Sequence, residues 1–141
     1  MTDAAPEQTA PLGFADQFAH RVATRDNVIP PPPSSQTHAA IGGRVAEWLR
    51  TQHGAGDIRS RTVLTQMVLL LLARPEVTTA ELQAVALLGP RATARTTLRL
   101  ANQGITEWFY RSGSRTRCHR LTRAAEDALL VVVAGPQVAV V

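Results

Sequence analysis

TTAELQAVALLGPRATARTTLRLANQGITEWFYRSGSRTRCHRLT, from Thr78 to Thr122, is the stretch of this 141-residue chain whose reading decides the fold. Thr78 or Thr79 can cap a helix running to Leu88, and Glu81 stands three residues after Thr78, the spacing of a capping box. Leu82, Val85 and Ala86 give that helix an inner face. Gly89-Pro90 makes a sharp turn, and a proline at the first helical position starts a second helix that runs to about Gln103. Gly104 suits the position just past that helix. Ile105–Tyr110 is β-branched and aromatic, Ser112-Gly113-Ser114 is a turn, and Thr116–Leu121 alternates, so residues 105–121 read as a hairpin. Thr122 caps a last helix, Arg123 to about Val133, which Gly135-Pro136 ends.

Upstream of this stretch the pattern is helical. Phe14, Phe18 and Val22 fall at i, i+4 and i+8, one face of a helix over residues 13–26. Pro30–Pro33 forces an extended segment, and residues 27–36 read as a Pro-rich linker. Ile41, Val45, Trp48 and Leu49 make an apolar stripe from Thr37 to His53. Asp57 or Ser60 can cap a further helix, Arg61–Arg74, apolar nearly all round and therefore buried on most sides. Residues 1–12 are small and polar and are expected to be disordered, residues 37–134 form the main domain, and residues 135–141 an apolar tail. The expected class is mainly α with a small β-hairpin and extra N-terminal helices.

Charge locates the candidate function. All 15 basic residues are arginine, and the net charge is +4. Residues 1–88 carry −1, residues 89–123 carry +7 and residues 124–141 carry −2. A basic segment this concentrated is the footprint expected for a polyanion partner. Arg91, Arg95 and Arg99 lie at i, i+4 and i+8 on one face of the second helix, with Ala94, Leu98 and Ala101 expected to pack inward. In a major groove, arginines can fork onto guanine, and Thr93 or Thr96 can reach a phosphate or a thymine methyl. Arg91, Thr93, Arg95 and Thr96 are expected nearest the bases and Arg99 on the backbone. Arg111, Arg115 and Arg117 bracket the Gly-Ser turn, where a hairpin tip can reach phosphates or the minor groove. The plainer alternative is a solvated basic surface. Arg120 and Arg123 can instead pair with Glu126 or Asp127.

The residues just quoted resemble the MarR-like branch of the winged helix-turn-helix superfamily over residues 62–130. The resemblance is carried by Glu81-Leu82, by Leu100-Ala-Asn-Gln-Gly104-Ile105 closing the second helix, by Arg115-Thr-Arg117 at the wing tip, and by Leu121-Thr122 before an Ala-rich helix. The wing tip lacks the family's usual Asp, Ala125 stands where Gly is common, and Thr93 and Thr97 lie near positions that are usually aliphatic. The resemblance implies a winged helix that binds double-stranded DNA, with the second helix in the major groove. It leads us to expect a bacterial, cytoplasmic, homodimeric transcriptional regulator on a palindromic operator. A repressor is the expected sense, because nothing resembles an activation or sensor domain. Other readings of the same pattern are a winged helix serving as a protein-interaction or assembly module, and a plasmid or phage replication or partition factor.

Surplus apolar surface suggests how two copies would pair. Phe14, Phe18 and Val22, with Leu129 and Val132 of the last helix, are the expected dimer contacts; the alternative is that both segments cover one monomer's own core. Trp108, Phe109 and Tyr110 are expected to pack their strand against the helices rather than to stack on bases.

Catalysis and metal binding are not expected. The chain contains no H-E-x-x-H, G-x-S-x-G or phosphate-binding glycine loop. His20, His38, His53 and His119 are scattered, and Cys118 is alone, which excludes an internal disulfide or a multi-cysteine zinc site. Cys118 and His119, adjacent on a strand, point to opposite faces. The longest charge-free apolar runs, Met67–Ala73 and Ala128–Ala134, fall far below the roughly 18–20 residues that span a bilayer. The first residues carry acids and no basic segment, unlike a secretory signal. No cofactor is implied, and no residue points to an effector ligand.

Overall fold

The computed structural model describes residues 13–27 and 37–135. The expected disorder of residues 1–12, most of the Pro-rich linker and the tail beyond Gly135 lie outside these residues. Six helices and a small three-stranded antiparallel sheet make up the described chain.

Each element begins where its capping chemistry places it. Helix α1 is Phe14–Arg25 and α2 is His38–His53, whose cap Thr37 accepts the Ala40 amide at 3.1 Å. Gly54, at φ 67°, closes α2 in the left-handed conformation that favours glycine. Asp57 rather than Ser60 caps α3, Ile58–Ala73, by accepting the Ser60 amide at 3.0 Å. Helix α4, Thr79–Ala86, starts with the full capping box: the Glu81 amide donates to Thr78 Oγ1 while Glu81 Oε1 accepts the Thr78 amide. Leu87 ends it at φ 56°, a left-handed position without glycine, and is 89% exposed. Helix α5 runs Pro90–Asn102 with its proline in the first turn, and α6 runs Arg123–Ala134 behind the Thr122 cap.

The hairpin gains a third strand. Strands β2, Thr106–Tyr110, and β3, Arg117–Leu121, pair in antiparallel register with Trp108 opposite His119. The two-residue β1, Val77–Thr78, pairs with β3 on its other side, Val77 opposite His119, giving the order β1-β3-β2. Two residues carry no periodicity, so β1 left no pattern in the sequence.

The core corrects the expected interface. Phe18, Val22 and Leu129 are buried in the monomer's own core, and Phe14 and Val132 pack against it. Helix α1 docks on α3 and α6. Arg21 donates to the Leu71 and Leu72 carbonyls at 3.3 Å, answering the open carbonyls at the end of α3. Arg25 pairs with Glu126, and with Asp127 at 3.0 Å. Arg44 of α2 donates to the Val132 and Val133 carbonyls at 2.9 and 3.1 Å. The extra helices thus join one body; of the five expected dimer contacts, Phe18, Val22 and Leu129 lie inside its core, and Phe14 and Val132 are partly buried against it.

No helix among the described residues is long and apolar enough to cross a membrane.

Candidate nucleic-acid interface

Helix α5 turns a different face inward from the one its alanines suggest. Thr93, Thr97 and Leu100 are buried, Thr93 fully, while Ala94 is exposed and Leu98 is 58% exposed. The threonines can enter the core because their hydroxyls are satisfied within the helix. Thr93 Oγ1 donates to the Gly89 carbonyl at 2.8 Å, and Thr97 Oγ1 to that of Ala94 at 3.1 Å. What remains facing the core is a methyl group. The outward line is therefore Arg91, Arg95, Leu98 and Asn102, all exposed.

This corrects the expected roles of two residues. Thr93, expected nearest the bases, is inaccessible to any partner. Thr96 is half-buried, donates its hydroxyl to the Ala92 carbonyl at 2.7 Å, and lines a cleft toward α3 rather than the outward face. That open cleft, about 470 Å³, also takes Arg99 and Arg59 at its rim, with Val63, Leu64 and Leu88 as apolar walls. Arg99 is thus set to the side of the helix, half-buried, and Arg59 joins it from the first turn of α3.

The hairpin closes on a tight turn. Gly113, at φ 76°, forms the tip, where the Ser114 amide donates to the Arg111 carbonyl at 3.0 Å. On the face shared with buried Thr106, His119 and Leu121, the distal pair Trp108 and Tyr110 is left 47% and 50% exposed. Their rings meet edge to face at 5.7 Å, and the Arg117 guanidinium lies 4.3 Å from the Trp108 ring centre. The expected packing of both aromatics against the helices is at best partial, since about half of each side chain stays in solvent. Phe109, on the opposite face, is half-buried beneath the Arg120 guanidinium at 4.6 Å.

Partners divide the arginines into two sets. Arg111 turns onto Glu76 with hydrogen bonds of 3.1 and 2.9 Å, so this expected DNA contact is already balanced by a carboxylate. Arg120 pairs with Glu107 at 2.7 Å and Arg123 with Asp26 at 3.0 Å, neither with the α6 acids expected from sequence. Arg21, Arg25, Arg50 and Arg74 also have acidic partners, while Arg44 and Arg61 are bound to backbone carbonyls. Among the described residues, Arg91, Arg95, Arg99, Arg115 and Arg117 have neither, while Arg59 makes no direct ion pair but lies within electrostatic reach of the Asp57 carboxylate. These five lie on α5 and the hairpin, and Arg59 faces the same cleft as Arg99.

The one strongly shifted histidine is structural. His119 is 2% exposed, and its Nε2 lies 2.7 Å from Thr79 Oγ1, tying β3 to the start of α4. Burial, reinforced by the nearby Arg117 charge, pushes its pKa down to about 4. It is therefore neutral near pH 7. Cys118 is buried on the other face of the strand, opposite Phe109. Among the described residues no group of three or more His, Cys, Asp or Glu is arranged to hold a metal ion.

Sequence reading missed Arg59, Leu98 and Asn102 and the exposure of Trp108 and Tyr110. Centring the α5 face on Thr93, Thr97 and Leu100 would have found Leu98 and Asn102; Arg59 and the aromatics needed the tertiary arrangement. Neither a family model, nor a curated protein, nor a solved structure matches this chain.

Proposed function

We propose that this chain is a winged helix-turn-helix protein that binds double-stranded DNA sequence-specifically as a transcriptional regulator, with α5 in the major groove and the β2–β3 hairpin as the wing. The order α3, β1, α4, α5, β2, β3, α6 and the sheet order β1-β3-β2 support the winged-helix part of this reading. The observation that carries the DNA part is the partition of charge. The arginines left without an acidic or carbonyl partner are concentrated on the two elements that a winged helix offers to a duplex. A protein leaves cations unpaired at little cost on a solvated surface, but α5 carries no acidic residue at all, and the hairpin's single acid, Glu107, is taken by Arg120. The reading has no catalytic role for the protein and makes it a repressor that acts by occupying its site.

A homodimer on a palindromic site remains part of the proposal, with recognition helices roughly one DNA turn, or 34 Å, apart. The pairing surface must then differ from the α1 face. Val131, 73% exposed on α6, is one large apolar side chain available for it.

Titration of specific and random duplexes at several salt concentrations tests the reading. Log affinity should fall linearly with log salt, by about 0.9 for each phosphate neutralised. Arg95→Ala should relax sequence preference, whereas Arg115→Ala should weaken all duplexes alike. Absence of binding to either duplex at low salt would overturn the proposal. A second reading, single-strand binding, is favoured by the exposed Trp108–Tyr110 pair, since aromatic platforms take unpaired bases. Preference for single strands over duplex in the same titration would select it.

A further inference from the structure

We propose that Leu98 reads the 5-methyl group of a thymine, beside guanines read by Arg91 and Arg95, so that the site carries guanine and thymine within one short major-groove element. The inference rests on the duplex-binding reading above and names the base chemistry that the reading leaves open. It starts from a leucine in an unexpected place. Leu98 is 58% exposed and belongs neither to the core nor to the apolar residues packed against it. Its neighbours one turn away on the outward line are Arg95 and Asn102, both exposed.

The edges of base pairs in the major groove present hydrogen-bond donors and acceptors and one apolar group, the methyl of thymine. An arginine on the same line has its own complement there, the paired acceptors O6 and N7 of guanine. Leu98 has a single complement, and it lies within reach of the arginine pattern. At about 1.5 Å per residue, Leu98 sits roughly 4.5 Å along the helix from Arg95 and roughly 10.5 Å from Arg91. Against about 3.4 Å per base pair along one strand, these offsets are about one and about three pairs. The element is therefore three to four base pairs long, with a thymine one or two pairs from the guanine that faces Arg95. Arg99, set to the side in the cleft with Arg59, is left to the phosphates.

The test uses the full chain and duplexes that it selects from a randomised pool. The selected element should contain a guanine and a thymine at that separation. Replacing that thymine with deoxyuridine removes only the methyl group and should weaken wild-type binding about fourfold, the weight of one methyl-sized apolar group taken out of water. Leu98→Ala should bind the thymine and deoxyuridine duplexes equally, while Leu98→Met should keep the discrimination. Because Leu98 is exposed, the unfolding transition of Leu98→Ala should match wild type, which separates the effect from loss of fold. Wild-type binding indifferent to the methyl at every thymine of the element overturns the inference. So does a Leu98→Ala variant that still discriminates, or one that changes oligomeric state without altering methyl discrimination. All three of these results leave duplex binding, and the proposed function, standing. Loss of duplex binding by the wild type at low salt would instead remove the proposed function itself.

Discussion

Thr93 and His119 show how single polar residues are used in this small core. Thr93 spends its hydroxyl on the Gly89 carbonyl and presents its methyl to the interior. Thr93→Ala should cost about 1–2 kcal/mol, the scale of a small buried truncation together with a lost hydrogen bond, and should leave the preference among duplexes unchanged. Chemical denaturation beside a binding titration checks both halves; altered sequence preference would return Thr93 to the interface. His119 sets a pH dependence whose sign follows from its depressed pKa of about 4, against about 6.5 in an unfolded chain. Between these values the unfolded chain binds the proton more readily, so stability is fully present above pH 6.5 and declines as pH falls toward 4. The loss attributable to this residue should reach about 3.4 kcal/mol at most, at 1.36 kcal/mol per pKa unit. Denaturation midpoints at pH 7, 5.5 and 4.5 measure it. A His119→Gln variant, less stable at pH 7, should show a shallower decline than wild type over that range.

At the scale of elements, what was legible depended on how the physics is written into sequence. Caps and breakers are local, so Thr78 with Glu81, Gly89-Pro90 and Thr122 place α4, α5 and α6 within a residue or two. Counting alanine and leucine as inward residues, and threonine not, turns α5 wrongly about its axis. Hydroxyls that bond to the preceding turn reverse that count, and Leu98 emerges into solvent as a consequence. The two-residue β1 and the exposure of the hairpin aromatics were not legible, since both depend on tertiary neighbours. The amphipathic α1 was read correctly as a helix with an apolar face, but amphipathicity does not say whether that face meets its own chain or a second copy. Arg21 and Arg25 answer this by bonding to the end of α3 and the acids of α6. Phe18→Ala should therefore cost about 3–5 kcal/mol of unfolding free energy, as expected for deleting a fully buried aromatic ring. Sedimentation should find the folded variant in the same oligomeric state as wild type, and a shift toward smaller species would restore Phe18 to an interface.

For the whole molecule, a net charge of +4 conceals two populations of arginine that should respond differently to salt. Arg111 and Arg123 lie near the hairpin in sequence, yet each faces a carboxylate, Glu76 or Asp26. Bringing a phosphate to either means displacing that carboxylate, which returns most of the electrostatic gain. Arg99, Arg115 and Arg117 have no such competitor among the described residues, and each can neutralise a phosphate directly. If each does so once, they contribute about −2.7 per chain to the slope of log affinity against log salt. Arg115→Gln should reduce the magnitude of that slope by about 1. Arg111→Gln and Arg123→Gln should leave the slope nearly unchanged, although they remove the same formal charge from the same quarter of the chain. Equal reductions from all three variants would mean that binding responds to total charge rather than to arginine placement, and the assignment of contacts to α5 and the wing would fall. Unequal reductions in the predicted order would tie affinity to the arginines that the fold keeps clear of acids.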